Sequence, residues 1–403
     1  MAMKLWLAVS TAIVLAFLAA PQGVRGDEAG GQIWAQASTA GFDRAAAVEK
    51  IEAALKEQDD FRDESYRLWK RGLKGEDVKA EREALKRPED VPGLKDDALR
   101  VVKADPTDEA ALKAMRVVLM SQYEGFAPEE HGKLRAQLRQ ILFAHHLQRS
   151  YFLQVAPMVQ PEPAEALEFW QRVYAASTNP DVRGNAAGML MEHYFTQLND
   201  ASLSDPVRKE IRGKGMGYAQ EIKDKYAGVR VGPALRLPRY MDSQSATLGE
   251  FVRNRETILA HSVGERLPSI KVADLNGAID ELGKYRGKVL LVDFWATWCG
   301  PCKAGHPDLV ALDKEMDGRP FQIIGISVDD KPADVVKYMK EKLDLPWVQW
   351  HIGPTGKLLE EWGVQGFPTY LVVGPDGIVR ERTNHLDEES KAVIRKLVQQ
   401  LEG

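Results

Sequence analysis

Apolar positions recur at helical spacing through most of the first two-thirds of the chain. From about Ala45 to Ala227 the pattern predicts helices nearly throughout, seen best in Ala110–Tyr123, Lys133–Leu147, Ala164–Tyr174 and Val207–Tyr226. Start signals agree with that reading. Asp105-Pro106-Thr107-Asp108-Glu109 suits a first turn, because proline costs no hydrogen bond there and acids face the positive end of the helix dipole. Pro161 and Pro163 open another helix, and Asn179-Pro180-Asp181 the next. The helices resemble repeat units loosely, but no residue set recurs at one spacing. Gly228 to Ser245, with Gly232-Pro233 and Pro238, reads as a linker, and a connecting helix over Thr247–His261 follows.

From Leu267 the period changes. Val289-Leu290-Leu291-Val292-Asp293-Phe294-Trp295 is a continuous apolar run broken by one acid, as expected of a strand buried on both faces. Phe321–Val328 and Thr369–Val373 are two more, the latter followed by the turn Gly374-Pro375-Asp376-Gly377 and a hairpin partner, Ile378-Val379-Arg380. Helical patterns over Cys302–Lys314, Pro332–Lys342 and Glu388–Leu401 alternate with them. The expectation is a multidomain chain: a disordered lead over 27–44, an all-α domain over 45–227, a linker and connecting helix over 228–263, and an α/β domain over 264–403 with a mixed sheet flanked by helices.

The first residues form a different pattern. Lys4 precedes an apolar stretch, Leu5 to Ala20, interrupted only by Ser10 and Thr11, and Val24-Arg25-Gly26 offers small residues for cleavage. Residues 1–26 therefore read as a signal peptide, with an uncleaved anchor as the alternative, and the protein is expected to be exported, in a periplasm or its equivalent. At 403 residues, with 44% hydrophobic and 28% charged positions, the chain has an ordinary globular balance. A net charge of −5 without basic runs argues against a nucleic-acid partner. The histidines show no metal-ligand spacing, and Met189 and Met191 fit core packing better than a cofactor box, so neither a metal nor a cofactor is expected.

Only two cysteines occur, Cys299 and Cys302. A disulfide between them closes so short a loop that it removes little chain entropy, which leaves chemistry as its purpose. Trp298-Cys299-Gly300-Pro301-Cys302 follows the first buried strand and opens a helix. A cysteine at a helix N-terminus faces unpaired N–H groups that stabilise the thiolate, the nucleophile of disulfide exchange. Cys299 is expected to attack and Cys302, a turn inward, to resolve.

Val292–Lys303 closely resembles the active-site segment of thioredoxins. Gly366-Phe367-Pro368-Thr369 stands where that family places its cis-proline. Leu267-Pro268, Leu275-Asn276-Gly277 and Gly287-Lys288 are similar to pieces of the TlpA-type, ResA-like exported oxidoreductases. The resemblance covers about Gly264–Gly403. It implies a thioredoxin fold and a thiol–disulfide oxidoreductase that reduces protein disulfides or oxidised thiol partners; an exported reductase needs electrons, so a membrane donor is expected. It further implies that Asp293 takes the proton of the resolving thiol, that Phe367 and Pro368 present backbone to substrate, and that Trp298 lies on the docking surface. Phe367 is bulkier than the residue usual at its position. Many relatives carry a glutamate where this chain has Gly305; His306 beside it is read either as approaching Asp293 or as a solvated helix residue. Pro307 is expected to kink its helix. A thiol peroxidase, and a helical partner-binding scaffold carrying a redox module, are the competing functions.

Overall fold

In a computed structural model the described residues are 39, 41–73, 76–120, 128–161, 163–200, 203–235, 245–354 and 357–403. The expected signal peptide, most of the expected lead and the middle of the expected linker lie outside them. No helix among the described residues is long and apolar enough to cross a membrane.

The chain divides into two compact units between His146 and Leu147. The first unit is helical: α1 (Arg44–Leu73), α2 (Lys79–Ala84), α3 (Leu94–Ala104), α4 (Glu109–Met120) and α5 (Pro128–His145). Helix α3 shows why. Ala98, Leu99, Val101 and Val102 fall on one face and are buried, Asp96 and Asp97 sit in the first turn, and α1 and α4 cover the apolar face. Arg116 of α4 is buried and pairs with Asp59 of α1.

The second unit joins the remaining helices to the sheet, which differs from the boundary expected at 228–263. Its helical layer is α6 (Phe152–Val159), α7 (Pro163–Ala176), α8 (Pro180–Gln197), α9 (Asp205–Glu221, ending in a π turn over Ile222–Tyr226) and α10 (Leu248–Leu259). Asn179 caps α8 by accepting hydrogen bonds from Asp181 N at 2.9 Å and Val182 N at 3.2 Å. A reciprocal Thr247–Glu250 capping box opens α10. The expected linker is a packed corner where it is described. Leu235 is buried, Val231 N donates to Ala246 O at 3.0 Å, and Asn185 serves both Arg230 O and Gly232 N.

The sheet has five strands: β3 (Val289–Trp295), β4 (Phe321–Ser327), β5 (Val348–His351), β6 (Thr369–Val373) and β7 (Val379–Thr383). A two-stranded ribbon, β1 (Lys271–Ala273) with β2 (Ile279–Glu281), precedes it. The order is β5-β4-β3-β6-β7, with β3, β4 and β5 parallel and β6 antiparallel to both β3 and β7. The helices of this segment are α11 (Gly300–Glu315), α12 (Pro332–Glu341), α13 (Lys357–Glu361) and α14 (Glu388–Glu402). All seven residues of β3 are buried, as its unbroken apolar run requires of a central strand. The mixed sheet with flanking helices is the α/β thioredoxin fold expected over 264–403.

Helix α10 is fastened to this fold. Gly363, at φ 59°, follows α13, and a Cβ there would run into Ile258 of α10. His261 stacks on Trp362 at 5.8 Å, and Gln365 Nε2 donates to Asn254 Oδ1 at 3.1 Å.

Candidate active site

Strand β3 ends at Trp295, and after four intervening residues α11 begins at Gly300. The turn between them is held by Asp329, which follows β4. Its carboxylate accepts from Thr297 N at 3.0 and 3.1 Å, from Thr297 Oγ1 at 2.5 Å and from Ser327 Oγ at 2.8 Å. A buried acid holding three donors through four hydrogen bonds fixes the loop that carries the cysteines. Sequence reasoning missed Asp329; an acid just after a buried strand was the available signal.

Cys299 is the N-cap of α11, and its Sγ accepts from Cys302 N at 3.2 Å. The two cysteines form a disulfide and are both buried, whereas Trp298 beside them is 55% exposed. The helix runs unbroken from Gly300 to Glu315 with Pro307 inside it. Trp298 meets Phe367 edge to face at 5.8 Å, and Phe367-Pro368 is a cis peptide at the entry to β6. The structure therefore brings Cys299, Trp298, Phe367 and Pro368 to one edge of the fold.

Asp293 lies in β3, the strand that runs into the active-site turn. It is 1% exposed, and its Oδ1 has no hydrogen-bond partner among the described residues. Burial pushes its carboxyl up to about 8, because the charged form has lost its water. Tyr370 pairs with it across β6; burial and the neighbouring Asp293 charge raise its phenol too. The hydroxyl of Tyr370 sits 3.1 Å from where a Cβ on Gly305 would stand. A tyrosine from the next strand thus occupies the space beside the residue that replaces the expected glutamate.

His306 departs from both readings made of it. It is fully buried, 4.7 Å from the Trp295 ring, and hydrogen-bonded through Nδ1 to the Tyr338 hydroxyl at 3.0 Å. Its Nε2 has no partner among the described residues, and burial lowers its pKa to about 4, so it packs as a neutral ring. The reason is the face it occupies: one turn after Cys302, that side of α11 lies on the sheet rather than in water. Trp295 itself is core and donates through Nε1 to Gln349 Oε1 at 3.0 Å. Gly325 leaves room for that glutamine, since a Cβ there would overlap it.

A dithiol–disulfide pair at a helix mouth, an exposed tryptophan, a cis-proline edge and a buried acid define a thioredoxin-fold thiol–disulfide oxidoreductase. The redoxin family model matches residues 262–398. The thiol:disulfide interchange protein HelX of Rhodobacter capsulatus is 31% identical over 140 residues, covering 34% of this chain and 76% of the relative. The thiol-disulfide oxidoreductase ResA of Bacillus thuringiensis is 27% identical over 138 residues, covering 34% and 78%. Among solved structures, a thiol:disulfide interchange protein from a Bacteroides species is 27% identical, covers 35% of this chain and 92% of its own, and gives a TM-score of 0.32. The chain belongs to the redoxin family of thiol–disulfide oxidoreductases. Residues before 262 lie outside the matched segment.

Proposed function

We propose that this oxidoreductase reduces disulfides of protein substrates outside the cytoplasm, with Cys299 as nucleophile, Cys302 as resolving thiol and Asp293 as proton acceptor. The observation that carries the reading is the position of Cys299 Sγ, at the first turn of α11 and in receipt of the Cys302 N–H. In the reduced enzyme the same donors and the helix dipole hold a thiolate there. That thiolate attacks one sulfur of the substrate disulfide, forming a Cys299–substrate bond and expelling the other sulfur as a thiolate that takes a proton from water. Cys302 then gives its proton to Asp293 and attacks Cys299 Sγ, which releases the second substrate thiolate. The substrate gains two electrons, and the enzyme ends in the disulfide form seen here.

Asp293 suits its step because its carboxyl, pushed up to about 8, is a far stronger base than an ordinary aspartate, and its proton-accepting form grows as pH rises towards 8. Phe367 and Pro368 present main chain to the incoming segment, and Trp298 covers it. Gly300-Pro301 between the cysteines is the pair found in thioredoxin, whose potential is about −270 mV against about −120 mV for DsbA; this supports the reducing direction. A reductase outside the cytoplasm needs a dithiol donor, which we assign to a membrane protein. The apolar stretch after Lys4 supports export.

The test is direct. Cys299→Ser abolishes insulin-disulfide reduction, and Cys302→Ser accumulates a mixed disulfide with substrate. Full activity of Cys299→Ser overturns the reading. Equilibration with glutathione placing the couple near the DsbA value reverses the direction.

A further inference from the structure

Beside the cis-proline edge lies a cleft of about 580 Å³. One side is the active-site fold itself, at Pro301, Phe367, Pro368 and Thr369. The other side is helical: Glu192 and Thr196 from α8, Arg255 and Ile258 from α10. These helices precede residue 262 and so lie outside the segment matched by the family model. The wall they make is fixed. Besides the Gly363–Ile258 approach and the His261–Trp362 stack, Arg212 pairs with Glu265.

The charges in the cleft do not cancel. Glu192 and Arg255 pair with each other at 2.7 Å. Arg382, on the edge strand β7, donates to main-chain oxygens, Gly363 O at 2.8 Å, Trp362 O at 3.1 Å and His261 O at 3.5 Å. No carboxylate pairs with it among the described residues, and burial pulls the guanidinium down to about 10. A cation that lines a cleft and is held by carbonyl oxygens, with its charge unmatched by a carboxylate, attracts an anionic side chain.

We propose that this cleft receives the extended polypeptide segment adjoining the substrate's half-cystine, and that it selects segments carrying a carboxylate, which Arg382 meets. The helical layer then acts as a substrate selector for the cysteine pair. A segment leaving Cys299 along Phe367 and Pro368 passes directly into the cleft, because those residues line both. The proposal rests on the disulfide-reductase reading, and its test separates the two.

The full-length protein would be assayed with two disulfide-bearing peptides that differ by a glutamate or a lysine three residues from the half-cystine, each referred to hydroxyethyl disulfide, which is small and uncharged. The glutamate peptide should be reduced about tenfold faster. Arg382→Gln should erase that preference and Arg382→Lys keep most of it. Thr196→Trp, which fills the cleft from an exposed helix position, should lower both peptide rates about tenfold relative to the small disulfide. Equal rates for the two peptides, or peptide rates that Thr196→Trp leaves untouched, overturn the proposal. Failure of the unmodified protein to reduce even hydroxyethyl disulfide would instead overturn the reductase reading.

Discussion

Asn185 in the helical layer and Asp293 in the central strand are both buried polar side chains, yet their surroundings differ in kind. The amide of Asn185 donates to Asp181 O and Arg230 O at 2.9 Å each, and its oxygen accepts from Gly232 N at 2.6 Å. Every strong demand the group makes is met, and in return it stitches the 229–235 corner onto α8. Asp293 is surrounded by Val292, Phe294 and the neighbouring strands, with one carboxyl oxygen left unpartnered. A satisfied buried group stabilises a fold, whereas an unsatisfied one costs stability and persists where its altered ionisation is used. The two regions should therefore answer substitution with opposite signs.

Asp293→Asn carries the largest expected effect. The folded-state pKa near 8 exceeds the unfolded value of 3.8, so the native protein holds the proton more tightly and the aspartate costs progressively more as pH rises from about 4 to 8. Asparagine removes that cost. The variant should be more stable by about 4 kcal/mol at pH 7, at ~1.4 kcal/mol per pKa unit, with the gap closing below pH 4 in urea titrations. Its disulfide-reduction rate should fall on the order of 100-fold and lose the rise with pH through about 8. A variant both less stable and fully active would place Asp293 in the same class as Asn185.

How much of this was legible beforehand follows from how local each feature is. The cysteine pair, the acid two positions before Trp295, the exposed Trp298 and the Phe367-Pro368 step all lie in short strings whose neighbours dictate their place. The five-stranded sheet emerged from its longer apolar runs, but β5 escaped notice. Val348-Gln349-Trp350-His351 is short and alternates polar with apolar, and Gln349 is buried only because it bonds Trp295 from the next strand but one. His306 and Asp329 also take their environments from partners more than thirty residues away, Tyr338 and Thr297. The corner at 229–235 reads as a linker because of its Gly-Pro content; what packs it comes from afar, the amide of Asn185 on a helix over forty residues earlier and the strand-like bond of Val231 to Ala246. The division at His146/Leu147 has no compositional mark, since helical patterning continues through it.

His306 sharpens the comparison with a group of the opposite charge type. Its folded-state pKa of about 4 lies below the ordinary 6.5, so the unfolded chain takes up the proton first and stability is lost as pH falls from 6.5 towards 4. His306→Phe keeps a ring against Trp295 and abolishes that loss. Relative to the parent, the variant should gain about 3 kcal/mol between pH 7 and pH 4, offset at every pH by about 1 kcal/mol for the lost Tyr338 hydrogen bond. Parallel stability curves for the two proteins across this window would show that the ring is hydrated rather than buried, and His306 would cease to be a counterpart of Asp293.

Asn185→Ala has the smallest effect and the cleanest logic. Removing the amide leaves Arg230 O and Gly232 N without their partners inside a packed corner. The expected cost is about 2 kcal/mol, the range for buried main-chain groups stripped of a hydrogen bond. It should be the same at pH 5 and pH 8, because no titrating group is involved. Insulin reduction by the folded variant should match the parent, since Asn185 touches neither the cysteines nor the cleft residues. A pH-dependent loss, or an activity loss at temperatures where the variant remains folded, would mean that satisfied and unsatisfied buried groups in this protein do not divide into structure and chemistry, and the contrast with Asp293 would fail.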